Sequence, residues 1–356
     1  MRLLPHAALA LSLLPAAAAA QPLRVVALAP GASSYAAAPV QARVGDVVHL
    51  AAVAGRTTTP TPWPAGTRVR WLRVVPRMEH VARPSPNPGT ASFSNAVLFG
   101  PRHGRWLGYD RLEYETRPLA PEEGDAQPDG TLTVRAARLD PPRGGAGSMW
   151  FSAEVTLPDG RVLRAPDGER VDTLGLSRDV ARVSFRADDT YLGWLGTYFG
   201  VPNVFGSNGT SGDHQTDRYT GADCADVLVG ALRASGRRDV PYLSVAQIGE
   251  AAVRRSRPLT IDAAGRYLHG AVAPRWGVDV APGDLVTLGY LDDAENSLPR
   301  DWDHIVALVA DADGDGLLGA GDTIRHVTGR GLDETPLVHA GAMRIALWRW
   351  RPRGRR

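Results

Sequence analysis

The chain has 356 residues, 44% of them apolar, with 39 Gly and 28 Pro. That composition fits a globular protein rich in turns and excludes a low-complexity or collagen-like one. Its 40 basic residues, every one an arginine, nearly balance 38 acidic ones, and a net charge of +2 gives no footprint of a nucleic-acid binder. The first element is an export signal. Arg2 supplies the positive start, "LLPHAALALSLLPAAAAA" the apolar run, and small residues precede Gln21. The expectation is a signal peptide over 1–20, an exported protein in the periplasm or outside the cell, and no lipid at the mature N-terminus, because Gln21 and not a cysteine stands directly after the cleavage point. Pro5, His6 and Pro15 break the run, and no later stretch is long and apolar enough to span a bilayer, so no transmembrane segment is expected.

Residues 21–186 read as β structure. "LRVVALAP", "VGDVVHLAAVAG", "RVRWLRVV", "TLTVRAARL" and "SMWFSAEVTL" are rich in β-branched and aromatic residues and are bounded by turn clusters. In "RVRWLRV" the alternation is imperfect: Val69, Trp71 and Arg73 share one face, Arg70 and Leu72 the other. "TLPDGRVLRA" predicts a hairpin turning at Pro158, Asp159 and Gly160. Short strands at this spacing predict a sandwich. "VGDVVHLAAVAG" followed by "VRWL" resembles the early strands of bacterial immunoglobulin-like domains, which implies Trp71 as a core tryptophan. The Pro-rich region 76–130 is expected to hold further strands.

After "ARVSFRA" the pattern changes, and the domain boundary is placed near residue 187. In "DDTYLGWLGTYFG", Leu192, Leu195, Tyr198 and Phe199 follow helical spacing, and Gly200 marks a stop. The polar, Gly-rich loop "GSNGTSGDHQTDRYTGAD" then leads to Cys224, the single cysteine. A lone cysteine in an exported chain is a buried small hydrophobe, an intermolecular link or a reactive thiol. Val227, Leu228, Ala231 and Leu232 form one apolar helical face ending at Gly236, so Cys224 begins a helix with Asp223 as its cap. The first-turn amides and the helix dipole favour thiolate there, which points to a nucleophile. Further on, "DLVTLGY", "HIVALVA" and "DTIRHVTG" read as successive strands. His304 opens the second and His326 lies on the third, so antiparallel pairing would bring the two imidazoles together. His214, His269 and His339 read as surface or packing residues. The tail "WRWRPRGRR" reads as a final strand with a solvated end.

The order of a "DC" at a helix start, "PGDLV", a strand opening with His and a strand carrying a second His resembles the NlpC-type cell-wall cysteine peptidases. The resemblance covers roughly residues 190–350. It implies a papain-like α+β domain over 187–356, with Cys224 as nucleophile, His304 as base and His326 as the residue orienting that base. The fold class expected for the whole chain is therefore α+β: an immunoglobulin-like β-sandwich followed by the papain-like domain. "NVFGS" before the cysteine and Ala-Asp after it depart from the family's pattern, and the long gap from Cys224 to His304 implies an insertion over 237–280. "GADCADVLVGALRASGRRDVPYLSV" is also similar to the cysteine helix of transglutaminase-like proteins. That reading keeps Cys224 and His304 and takes an Asp as third residue. The expected activity is that of an exported, monomeric thiol hydrolase cleaving amide bonds, with peptidoglycan stem peptide as the substrate that the resemblance implies. The alternatives are a thiol acyltransferase and a non-catalytic calcium-binding surface protein with a degenerate hydrolase domain.

Between the two histidine strands, "DADGDGLLGAGD" (311–322) fits the twelve-residue calcium-loop template. Asp311, Asp313 and Asp315 offer hard oxygens, Gly316 makes the turn, Leu317 gives its carbonyl and Asp322 stands where a Glu is usual. A structural Ca²⁺ fixing the register of the two histidine strands is the expected cofactor.

Overall fold

A computed structural model describes residues 22–77, 83–84, 91–92, 114–139, 143–172, 174–204, 206–207, 209–210, 212–291 and 302–352. The export signal expected over 1–20, part of the Pro-rich region and the last four residues of the tail lie outside the described residues.

Apolar residues along Leu23–Leu28, Val48–Ala54 and Leu132–Val134 pack these strands into one antiparallel sheet, edged by Ala36–Ala37 and Asp125–Ala126. A second sheet runs in the order Val40–Arg43, Ala181–Arg186, Gly147–Thr156, Arg68–Pro76 and Tyr114–Pro118; its first pair is parallel. Leu50, Leu132 and Val25 of one sheet meet Trp71, Met149, Phe151 and Phe185 of the other in a common cluster, so the two sheets form a sandwich. The hairpin at Pro158–Gly160 is present: Gly160 N–H donates to the Leu157 carbonyl at 2.9 Å. Gly160 takes a φ of 85°, which a side chain would resist.

The imperfect alternation around Trp71 has a physical cause. Trp71 and Phe151 face the sandwich core, whereas Val74 and Trp150 belong to a cluster with Leu195, Tyr198, Phe199 and Leu228. The second sheet is therefore covered on both faces, and both faces carry apolar residues. Arg73 is buried with them, and its Nε donates to Glu123 at 3.1 Å, with Nη1 donating to the Trp150 carbonyl at 2.7 Å.

Among the described residues beyond 187 come three α-helices, α1 (Tyr191–Gly196), α2 (Gln215–Arg218) and α3 (Cys224–Ala234), and a seven-stranded antiparallel sheet. Its order is Ala252–Arg254, Met343–Trp350, Leu285–Tyr290, His304–Ala310, Thr323–Val327 and Leu332–Pro336, with Leu259–Ile261 also paired to Met343–Trp350. The α+β, papain-like expectation is corrected here. About 40% of the residues are strand and 11% helix, in several antiparallel sheets, so the protein is mostly β. Among the described residues only α3 exceeds two turns; the helical spacing near Leu192 ends after about one turn and a half. The stretch expected as an insertion, 237–280, contributes a 3₁₀ turn and two short strands that pair with Met343–Trp350. No helix among the described residues is long and apolar enough to cross a membrane.

Candidate active site

Helix α3 begins where the sequence pattern placed it. The Asp223 carboxylate accepts from Ala225 N–H at 3.0 Å and Asp226 N–H at 2.8 Å, which caps the helix and sets Cys224 as its first residue. Leu228 and Ala231 pack α3 against Ile305, Ala307 and Val327 on one face of the large sheet. Alternation turns His304 and His326 towards the other face, at the end of the sheet where their strands begin and end. The thiol reaches that end: the Ile305 backbone amide is among the groups acting on it, and the charge of Cys224 in turn acts on Tyr290. No hydrogen bond joins Cys224 to His304 among the described residues, so the structure does not itself pair the expected nucleophile with the expected base.

The histidine pair is joined directly. His304 Nε2 lies 2.7 Å from His326 Nδ1, and the residues are 9% and 3% exposed. The protons on this pair follow from what lies beyond it. Thr335 Oγ1 is 3.3 Å from the Pro336 carbonyl, which can only accept, and in one of the two arrangements open to the hydroxyl its proton points there. Thr335 then accepts from His326 Nε2–H at 2.9 Å. A neutral His326 protonated at Nε2 has a bare Nδ1, which accepts from His304 Nε2–H. His304 is thereby left with an unprotonated Nδ1, the form a general base requires. Burial, followed by His326 and His339, holds the His304 imidazolium well below its ordinary range; burial and His339 bring His326 to about 4.

The thiol does not follow the helix-dipole expectation. Burial is the largest effect on Cys224 and raises its pKa, and the carboxylates of Asp223 and Asp226 add to the rise. The amides of Ile305 and Ala225 oppose it without reversing it. Burial thus favours the protonated thiol at Cys224 and the neutral imidazole at His304. Asp226, the residue that departs from the family pattern, is buried, and burial with the Asp223 charge raises its carboxyl. It accepts from the Ser207 hydroxyl at 2.5 Å and lies 3.9 Å from His214 Nε2.

The chain matches no protein-family model, and no curated protein or solved structure matches it. The site therefore has to be understood from its own geometry.

Two further residues complete it that the sequence reading set aside or passed over. His339 Nδ1 lies 3.1 Å from the Leu337 carbonyl and so donates to it; its Nε2 then accepts from the Tyr290 hydroxyl at 3.1 Å. The His339 ring stands 4.7 Å from that of His326. Tyr290 ends the strand "DLVTLGY", one strand from His304, and that position was the available signal. His214 is buried, stacked on Tyr242 with ring centres 3.8 Å apart.

The acidic loop is brought together in part. Ligand oxygens of Asp311, Asp313 and Asp315 lie within 4.8 Å of one another. Asp322 does not join them. Its fully buried carboxylate accepts from Ala312 N–H at 3.0 Å, from Gly319 N–H at 2.8 Å and from Trp276 Nε1–H at 2.8 Å. Its side chain, shorter than that of Glu, closes the base of the loop. Leu317 lies at the exposed rim and bridges to Arg275.

Proposed function

We propose that the protein is a thiol hydrolase acting on amide bonds, with Cys224 as nucleophile, His304 as general base and His326 as the residue that orients it. The observation that supports this reading is the 2.7 Å His304–His326 bond, together with the amide of Ile305, the residue after His304, acting on the Cys224 thiol at the start of α3. As sulfur attacks the carbonyl carbon, His304 takes the thiol proton, and it returns that proton to the leaving amine. Because the thiol rests protonated, transfer accompanies attack. The Asp223 carboxylate engages the Ala225 and Asp226 amides, which leaves the Cys224 N–H for the developing oxyanion among the described residues. Water then attacks the thioester, and His304 serves as base a second time. Peptidoglycan stem peptide is the substrate class proposed, on the likeness of motif order alone. The test is digestion of purified wall fragments, read by mass spectrometry. The parent protein should release new amine and carboxyl ends and Cys224→Ala should release none; equal products from both would end the proposal.

The triad Asp311, Asp313 and Asp315 is proposed to hold Ca²⁺, which offsets most of the charge of three clustered carboxylates and stiffens the link between the two histidine strands. At about ten times its dissociation constant, an ion bound by the native state alone adds about 1.4 kcal/mol. Millimolar calcium should accordingly raise the melting temperature and chelator should reverse the rise. An unchanged melting curve would remove the metal from the proposal.

A further inference from the structure

Where the sandwich meets the helices lies a cavity of about 350 Å³ whose lining includes none of the thiol-site residues. Such a volume is within the range of small-molecule sites. Arg182, on the strand Ala181–Arg186, reaches its wall and is 6% exposed. Its Nη1 donates to Ser184 Oγ at 3.1 Å, and its guanidinium lies 3.7 Å from the centre of the Tyr219 ring. No carboxylate pairs with it among the described residues. Burial pushes the guanidinium down, and only the Tyr219 and Tyr198 phenols oppose that effect.

Three lining groups, Arg182 not among them, have polar atoms that are buried and without a hydrogen bond: Gln41 Oε1, Asp217 Oδ2 and Arg233 Nε. Arg233 Nε stands 3.6 Å from Asp217 Oδ1, an ion pair without a hydrogen bond, while Oδ1 accepts from the Tyr242 hydroxyl at 2.8 Å. Buried polar atoms are almost always satisfied, and an unpaired buried cation is the costliest exception. The unmet donor is Arg233 Nε and the unmet acceptors are a carboxylate and an amide, beside the buried Arg182 cation that no carboxylate pairs among the described residues. A ligand that answers both has an anionic and a cationic end.

We propose that this cavity binds a small zwitterion, a free amino acid or short peptide, with its carboxylate on Arg182 and its ammonium between Asp217 and Gln41. A bidentate guanidinium–carboxylate contact supplies orientation as well as strength. Trp194 and Tyr219 furnish the aromatic wall for the carbon chain.

The proposal is tested by calorimetric titration of full-length Cys224→Ala protein, in which nothing can be hydrolysed, so the result is independent of the thiol reading. Three probes are compared: alanylalanine, its N-acetyl derivative and its C-terminal amide. The expected order is tightest binding for alanylalanine and a loss of about tenfold or more for the amide, in which the charge seen by Arg182 is gone. The acetylated probe should also bind more weakly, and Asp217→Asn should erase that difference. Arg182→Gln should abolish binding of alanylalanine with the circular dichroism spectrum unchanged. If Arg182→Gln does not fold, the probe series on the unaltered cavity decides. No heat with alanylalanine at millimolar concentration, or equal affinity for all three probes, would overturn the proposal.

Discussion

At the scale of single residues, the site is defined by where protons sit. Thr335 touches no substrate in this scheme and acts through His326, so it is a positioning residue. Thr335→Val should lower kcat by about tenfold or more with little change in KM, one tenfold step being about 1.4 kcal/mol of barrier. Thr335→Ser, which keeps the hydroxyl, should restore the rate; a Ser variant as slow as Val would refute the tautomer chain. His326 gives a second expectation, in pH. An unfolded imidazole titrates near 6.5, whereas burial and His339 hold native His326 at about 4. Between those values the unfolded chain binds a proton that the native protein refuses. Stability tied to neutral His326 is therefore complete above about 6.5 and lost as pH falls towards 4. Measured against His326→Gln by urea unfolding, the parent should lose about 3 kcal/mol across that window. Parallel pH profiles would show that His326 titrates normally. His304 and His326 were legible as candidates from their places on two strands; Thr335 was not, because a hydroxyl in a strand has no pattern until its partner is known.

At the scale of elements, helix α3 was readable almost whole, since its cap, its apolar face and its stop are all local. What its start would do to the thiol was not readable. A helix N-terminus favours thiolate by a modest amount, and here burial with two nearby carboxylates prevails. The acidic loop shows the same division. Spacing identifies three carboxylates in register, but only packing shows Asp322 turned to Trp276, Ala312 and Gly319. The strands of the large sheet were seen near both histidines, yet the short ones at Ala252–Arg254 and Leu259–Ile261 are too brief to announce themselves by period.

At the scale of the whole molecule, one apolar cluster joins Val74, Trp150 and Leu176 to Leu195, Tyr198, Phe199 and Leu228, across the boundary drawn near residue 187. Trp150 is 3% exposed, and Trp150→Ala should cost about 3–5 kcal/mol. The parent should melt in a single calorimetric transition; two well-separated peaks would show that the shared cluster does not couple the halves. By itself the sequence determined the strand-rich first half, the capped cysteine helix and the order of Cys224, His304 and His326, because turn chemistry, capping and side-chain period act over a few neighbours. Only the tertiary structure decided the mostly-β architecture, the doubly covered second sheet, the protonated thiol, the Thr335 anchor and the Arg182 cavity. Each of these depends on which surfaces meet and lose their water, and residues from 41 to 335 take part in contacts that no local pattern records.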